Sequence, residues 1–159
     1  MKRKISVVLA ATMIAASLTA CGTDPQIAQF QRKMDNFCTS VAELDESINN
    51  IDAEADNAVD LALDYLDQLD KQFQDFAEMD FPEEFDYMEA LADEAGEYMK
   101  EAVASYHSAY ADGGYDEETA AYARENSARA FKRVQVILDI LHGNDPTSEP
   151  ESGKAAADE

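Results

Sequence analysis

The sequence predicts an all-α protein, an up-down-up-down four-helix bundle over residues 25–143 that is followed by a disordered acidic tail. Apolar residues recur at alternating steps of three and four in four segments, which is the spacing of bundle helices. No segment shows the sustained period-two alternation that is typical of strands. Proline, glycine and other turn-forming residues separate the four segments. Segments of similar length with short connections favour the up-down-up-down arrangement.

Residues 1–20 have the pattern of an export signal. Lys2, Arg3 and Lys4 form a basic start, and an uncharged apolar run follows at residues 5–16. A membrane-spanning helix needs about 20 apolar residues, so this run is too short to be one. We therefore expect this segment to be removed from the mature chain.

The end of this segment, Leu18-Thr19-Ala20-Cys21-Gly22, resembles the bacterial lipobox, the recognition pattern for lipoprotein processing. The resemblance implies that the chain is cut before Cys21 and that its thiol is joined to diacylglycerol, as in palmitate-bearing lipoproteins. Two acyl chains are enough for stable membrane attachment. A plain secretory signal with a chance cysteine is the alternative.

The lipobox implies a lipid-anchored protein on the extracytoplasmic face of a cell membrane. Residues 21–24 would be the lipidated cysteine and a short tether. Over residues 1–22 the chain is similar to the small helical lipoproteins of Gram-positive cells, many of which have no assigned function. Beyond that range the similarity is one of architecture alone, and whether the source cell has one membrane or two is left open.

The first two helices are predicted from apolar stripes that begin at Ile27 and at Val59. Asp24 is the expected N-cap of the first helix, with proline at its first position. The stretch between Pro25 and Pro82 contains neither glycine nor proline, so one long helix over residues 26–79 is the alternative. The turn-forming residues at 47–52 favour a break, with Asp52 as the N-cap of the second helix.

The third and fourth helices are predicted to flank the turn at residues 112–115, with Asp116 as the N-cap of the fourth. Gly143 should end the last helix. Residues 144–159 lack apolar periodicity and predict a disordered tail. The fourth stripe is weaker at its start, and its members are Ala120, Ser127, Phe131, Val134, Leu138 and Leu141.

Charge excludes some classes of partner. Residues 1–20 hold three of the 12 basic residues and none of the 34 acidic ones, so the mature chain has a formal charge of −25. Nucleic acids and anionic headgroups would be repelled. Eleven acidic residues and no basic one lie between Asp35 and Asp70. Either the bases of the fourth helix (Arg124, Arg129, Lys132, Arg133) offset them, or they form a partner-binding face.

Four aspartates are the candidate metal ligands, because helical spacing would place Asp56, Asp60, Asp64 and Asp67 along one face. The alternative is a purely structural row offset by bases. Glu-x-x-His pairs, glycine-rich phosphate loops and nucleophile motifs are missing from the sequence, so neither a catalytic centre nor a cofactor is expected. With Cys21 lipidated, Cys38 has no partner for a disulfide within the chain.

The expected function is therefore that of a non-catalytic binding or interaction module of the cell envelope, with an envelope protein or a wall polymer as partner. The alternative is a lipoprotein that binds a small ligand or a divalent cation. The five tyrosines at 98, 106, 110, 115 and 122 either line a binding groove near His107 or lie at the margin of the bundle. The oligomeric state is left open.

Overall fold

The computed structural model describes residues 24–143, and all of the regular structure in that range is helical. The predicted all-α class is confirmed, and residues 24–143 contain no strand. Two short 3-10 helices, Glu83–Met88 and Ala111–Gly113, lie in the connections. The four α-helices are α1 (Pro25–Asn49), α2 (Ala58–Ala77), α3 (Glu89–Ala109) and α4 (Glu117–Leu141).

Several predictions fall outside the described residues. These are the export signal at 1–20, the lipobox with Cys21, and the tail at 144–159. Within residues 24–143, no helix is long and apolar enough to span a bilayer.

Three of the predicted helix ends are confirmed. The carboxylate of Asp24 accepts a hydrogen bond from the Gln26 N–H at 2.8 Å, and that of Asp116 accepts one from the Thr119 N–H at 2.7 Å. Both carboxylates satisfy an N–H group that has no partner within its helix. Gly143 follows the end of α4 with a φ of 70°, a conformation that costs glycine little.

The chain breaks between α1 and α2 as predicted, but the predicted N-cap of α2 is wrong. Asp52 accepts a hydrogen bond from the Glu54 N–H at 3.0 Å and so stabilises a local turn. The helix begins six residues later, at Ala58, which is buried. Burial of the apolar stripe, more than the first available cap, sets the start of α2.

The core is centred on aromatic side chains from three helices. Phe37 of α1 stacks on Phe76 of α2 with the ring centroids 4.4 Å apart. Phe73, which is fully buried, meets Phe37 edge-on at 5.3 Å and Phe131 of α4 at 5.4 Å. Such edge-to-face pairs add to the stabilisation that comes from burial alone.

Helices α3 and α4 share the most extensive contact of any helix pair in residues 24–143. Small side chains line much of their buried faces, which allows a short distance between the helix axes. The predicted stripe of α4 is wrong in part: Phe131, Leu138 and Leu141 are only half-buried. The residues of α4 that are buried are Ala120, Ala123, Asn126, Ser127, Ala130, Val134 and Ile137.

Candidate functional site

The candidate lipidation site, Cys21, lies just outside the described residues. The structure begins at Asp24, and α1 begins at Pro25, four positions after that cysteine. A lipid on Cys21 would therefore be held close to the start of α1.

The four candidate metal ligands do not form one helical row. Asp56 lies in the loop before α2, whereas Asp60, Asp64 and Asp67 are within the helix, and all four are exposed. Asp64 accepts a hydrogen bond from Gln68 at 3.0 Å, and Asp67 Oδ1 lies 2.7 Å from His107 Nε2. Within residues 24–143, no group of three or more acidic, histidine or cysteine side chains is placed to hold a metal ion.

The arginines of α4 form ion pairs with other carboxylates and not with the aspartates of α2, so the alternative in which they offset those aspartates gains no support. Arg124 pairs with Glu117 at 2.8 Å, and Arg129 pairs with Glu125 one turn earlier on the same helix. Arg133 reaches across to Glu94 on α3, and this hydrogen bond raises the pKa of its guanidinium. Closer carboxylates on α3 and α4 thus occupy these arginines.

The consequence is an acidic surface on the second half of α1, the loop that follows it and the first half of α2. Its exposed carboxylates include those of Glu43, Glu46, Asp52, Asp60 and Asp64. In the described part of the chain, no lysine or arginine pairs with Asp60 or Asp64. Lys71, the one basic residue of α2, pairs with Asp75 instead. Like charges four positions apart on a helix repel each other, so this surface costs some stability.

A cleft of about 530 Å³ lies on this acidic surface, between the end of α1 and the start of α2. We call it the α1–α2 cleft. Three carboxylates, those of Glu43, Glu46 and Asp52, belong to its lining, and no basic residue does. The remaining lining residues are polar or apolar: Ser47, Asn50, Ile51, Ala55, Asn57, Ala58, Leu61 and Tyr65.

The predicted tyrosine groove is not formed. Tyr106 is fully buried, and this burial raises the pKa of its phenol to about 12. Tyr110 is buried too, with its ring 5.1 Å from that of Tyr115. His107 is exposed on another side of α3, where it contacts Asp67.

The other two tyrosines fit the prediction of residues at the margin of the bundle. The ring of Tyr98 is half-buried below Arg129 and Arg133, whose guanidinium carbons each lie 5.7 Å from its centroid. Tyr122 is 47% exposed and donates a hydrogen bond to Glu101 at 3.2 Å. These contacts fasten α3 to α4 at the surface.

Sequence reasoning missed two features of interest. Asn126 is fully buried in α4, and its amide nitrogen has no hydrogen-bond partner among residues 24–143. The alanines at 123 and 130 mark the same buried face, and they were the signal that could have revealed it. Tyr87, in the first 3-10 helix, is 62% exposed, the largest exposure of any large apolar side chain described.

Comparison with known proteins gives no relative: no family model matches the chain, and no curated protein or solved structure matches it significantly. Its function is therefore inferred from its own residues.

Proposed function

We propose that the protein is a membrane-anchored lipoprotein on the extracytoplasmic side of the cell, and that it acts as a non-catalytic interaction module of the envelope. The lipobox at residues 18–21 supports the anchor, since lipid attached to Cys21 would hold the chain at the membrane. The short distance in sequence from Cys21 to Pro25 keeps the start of α1 near the headgroups.

In this proposal the four helices run up, down, up and down. Each pair of consecutive helices supports an antiparallel order, because later residues of one helix meet earlier residues of the next. The contacts between α1 and α2 are Phe37 with Phe73, and Phe30 with Phe81 in the segment that follows α2; those between the later helices are Gln74 with Gly96, Asp67 with His107, Glu94 with Arg133, and Glu101 with Tyr122.

This arrangement directs the α1–α2 loop away from the membrane. The 25 residues of α1 extend for about 37 Å at a rise of about 1.5 Å per residue. The α1–α2 cleft lies at the far end of that helix, so an anchored bundle would present it to the surroundings of the membrane. The first 3-10 helix, Glu83–Met88, would lie at the opposite end, near the lipid.

The observation that carries the proposal is the acidic surface, on which no lysine or arginine of the described residues pairs with Asp60 or Asp64. A surface of one charge attracts partners of the other and speeds their encounter. The mature chain, at −25, would repel nucleic acids and anionic headgroups, so the expected partner is a cationic protein or polymer of the envelope. The alternative, a divalent-cation site, gains no support from the spread of Asp56, Asp60, Asp64 and Asp67.

The test is chemical cross-linking in the producing cells, followed by capture of the lipidated protein. The acidic surface is altered by Asp60→Asn together with Asp64→Asn. The matched control is Glu83→Gln with Glu84→Gln, which removes the same charge from exposed positions at the opposite end. We expect the same partner with the wild type and the control, and a loss of that partner with the aspartate variant.

The proposal fails if no envelope protein or wall polymer is captured with the wild-type protein. It also fails if both double variants capture the partner equally well, because the acidic surface would then have no part in the interaction. Capture at raised salt is an independent test and should be weaker, because added salt shortens the screening length of exposed charges below the roughly 8 Å of physiological ionic strength.

A further inference from the structure

We infer that the α1–α2 cleft is a docking site for a basic amphipathic segment of a partner protein, one in which lysine or arginine alternates with apolar residues. This inference rests on the proposed envelope interaction and names both the surface and the chemistry of the partner.

The cleft is an open concavity of about 530 Å³, so it can receive side chains of a segment that lies across it. Ile51, Leu61 and Tyr65 line it and are only half-buried, so apolar surface remains for a partner to cover. Ala58, which is 3% exposed, closes the cleft on the side of the core.

The charges around the cleft select the partner. Ile51, Leu61 and Tyr65 form the apolar wall of the cleft. Beside it lie the carboxylates of Glu43, Glu46 and Asp52. A lysine or arginine side chain has an apolar stem and a cationic end, so it can cover the wall and reach a carboxylate at once. The ring of Tyr65 adds a face on which a cation can rest.

Other occupants are disfavoured by charge. A second copy of the chain would bring the same carboxylates to the contact. The chain's own residues 144–159 carry five acidic residues and one lysine, so they would be repelled as well. A purely cationic polymer would be attracted to the carboxylates but would leave the apolar wall uncovered.

The test uses the chain from residue 21 onward with Cys21→Ser, which cannot be lipidated and needs no detergent. The probe is a fluorescent ten-residue peptide of alternating lysine and leucine, and its binding is followed by fluorescence anisotropy. A lysine–serine peptide of equal charge reports the contribution of the apolar wall. We expect the lysine–serine peptide to bind about tenfold more weakly than the lysine–leucine peptide, which is equivalent to about 1.4 kcal/mol of binding free energy.

The variant Glu43→Gln with Glu46→Gln tests the carboxylates, and Glu83→Gln with Glu84→Gln is the control of equal charge. We expect the cleft variant to lose about tenfold in affinity for the lysine–leucine peptide and the control to change less than about twofold. Circular dichroism verifies that both variants remain helical. Sedimentation of the unmixed chain measures self-association, and a dimer broken by the cleft variant would overturn the assignment.

The docking site would be overturned if the cleft variant and the control variant lost the same affinity for the lysine–leucine peptide. It would also be overturned if the lysine–leucine and lysine–serine peptides bound equally well. Cross-linking in cells separates this outcome from failure of the proposed function. If the wild-type lipoprotein captures an envelope partner that the cleft variant captures equally well, the interaction function stands and the cleft is not its site. If no partner is captured at all, the proposed function itself fails.

Discussion

Phe73 joins three helices in the described core. It is fully buried on α2, and it meets one ring from α1 and another from α4 edge-on. Replacing it by alanine removes the buried ring and leaves a cavity between three helices. Such Phe→Ala changes cost about 3–5 kcal/mol, a large part of the 5–15 kcal/mol that stabilises a typical domain.

The assay is urea unfolding at 25 °C, followed by the helical circular dichroism signal. We expect the free energy of unfolding to fall by about 3–5 kcal/mol with little change in the denaturant slope. The melting temperature should drop by about 10 °C or more. Phe73→Leu, which retains more of the buried volume, should cost less.

Phe131→Ala is the matched comparison, because Phe131 shares one of the ring contacts but is only half-buried. Its loss should be clearly smaller than that of Phe73→Ala. A cost below about 1 kcal/mol for Phe73→Ala, or equal costs for the two variants, would refute the placement of Phe73 at the centre of the core.

Three other outcomes are expected. Asp64→Asn should raise the free energy of unfolding by a few tenths of a kcal/mol, because its repulsion with Asp60 is relieved, no base loses a partner, and Asp64 lies beyond the first turn of α2, where a negative charge would be favourable. A loss of stability in urea unfolding would reveal a hidden ion pair. In a Cys21→Ser chain, Cys38 should react with iodoacetamide at pH 8 at least about 100-fold more slowly in the folded protein than in urea. The reason is that burial and, to a lesser extent, the charge of Asp35 raise the pKa of the Cys38 thiol to about 11. Similar rates in the two conditions would contradict the burial of Cys38. The raised pKa of Tyr106 stabilises the fold below about pH 10, and this contribution is lost as the pH rises towards 12. Tyr106→Phe should therefore flatten alkaline unfolding without destabilising the protein at pH 7, whereas a loss above about 1 kcal/mol at pH 7 would indicate a hydrogen bond to its hydroxyl.

The helices could be predicted where one local rule acted alone. The spacing of Phe30, Met34, Phe37 and Val41 placed four buried residues on one face of α1. The start of that helix followed from an aspartate before a proline. Both signals need only neighbours in sequence, so the rest of the fold could not alter them.

Prediction failed where tertiary contacts decided between local options. Asp52 is a suitable cap, but burial of Ala58 fixes the start of α2 six residues later. The stripe of α4 was misplaced because close packing against α3 selects alanine, which is a weak hydrophobic signal. The buried amide of Asn126 is polar and so does not belong to the apolar pattern, and only Ala123 and Ala130 mark the buried face on which it lies.

The candidate site was predictable in composition but not in geometry. The absence of bases between Asp35 and Asp70 is visible in the sequence. Which carboxylates the arginines of α4 pair with depends on how the helices lie beside one another. The α1–α2 cleft is formed by two helix ends and the loop between them, and no spacing of residues in the sequence predicts it.

Intact-mass spectrometry of the protein purified from the membranes of its own cells tests the central proposal most directly. The anchored-module account predicts the mass of a chain that starts at Cys21 and carries a diacylglycerol group. The mass of an unlipidated chain, whatever its first residue, would contradict the lipid anchor. The acidic surface would then belong to a freely diffusing binder and not to a module held at the membrane.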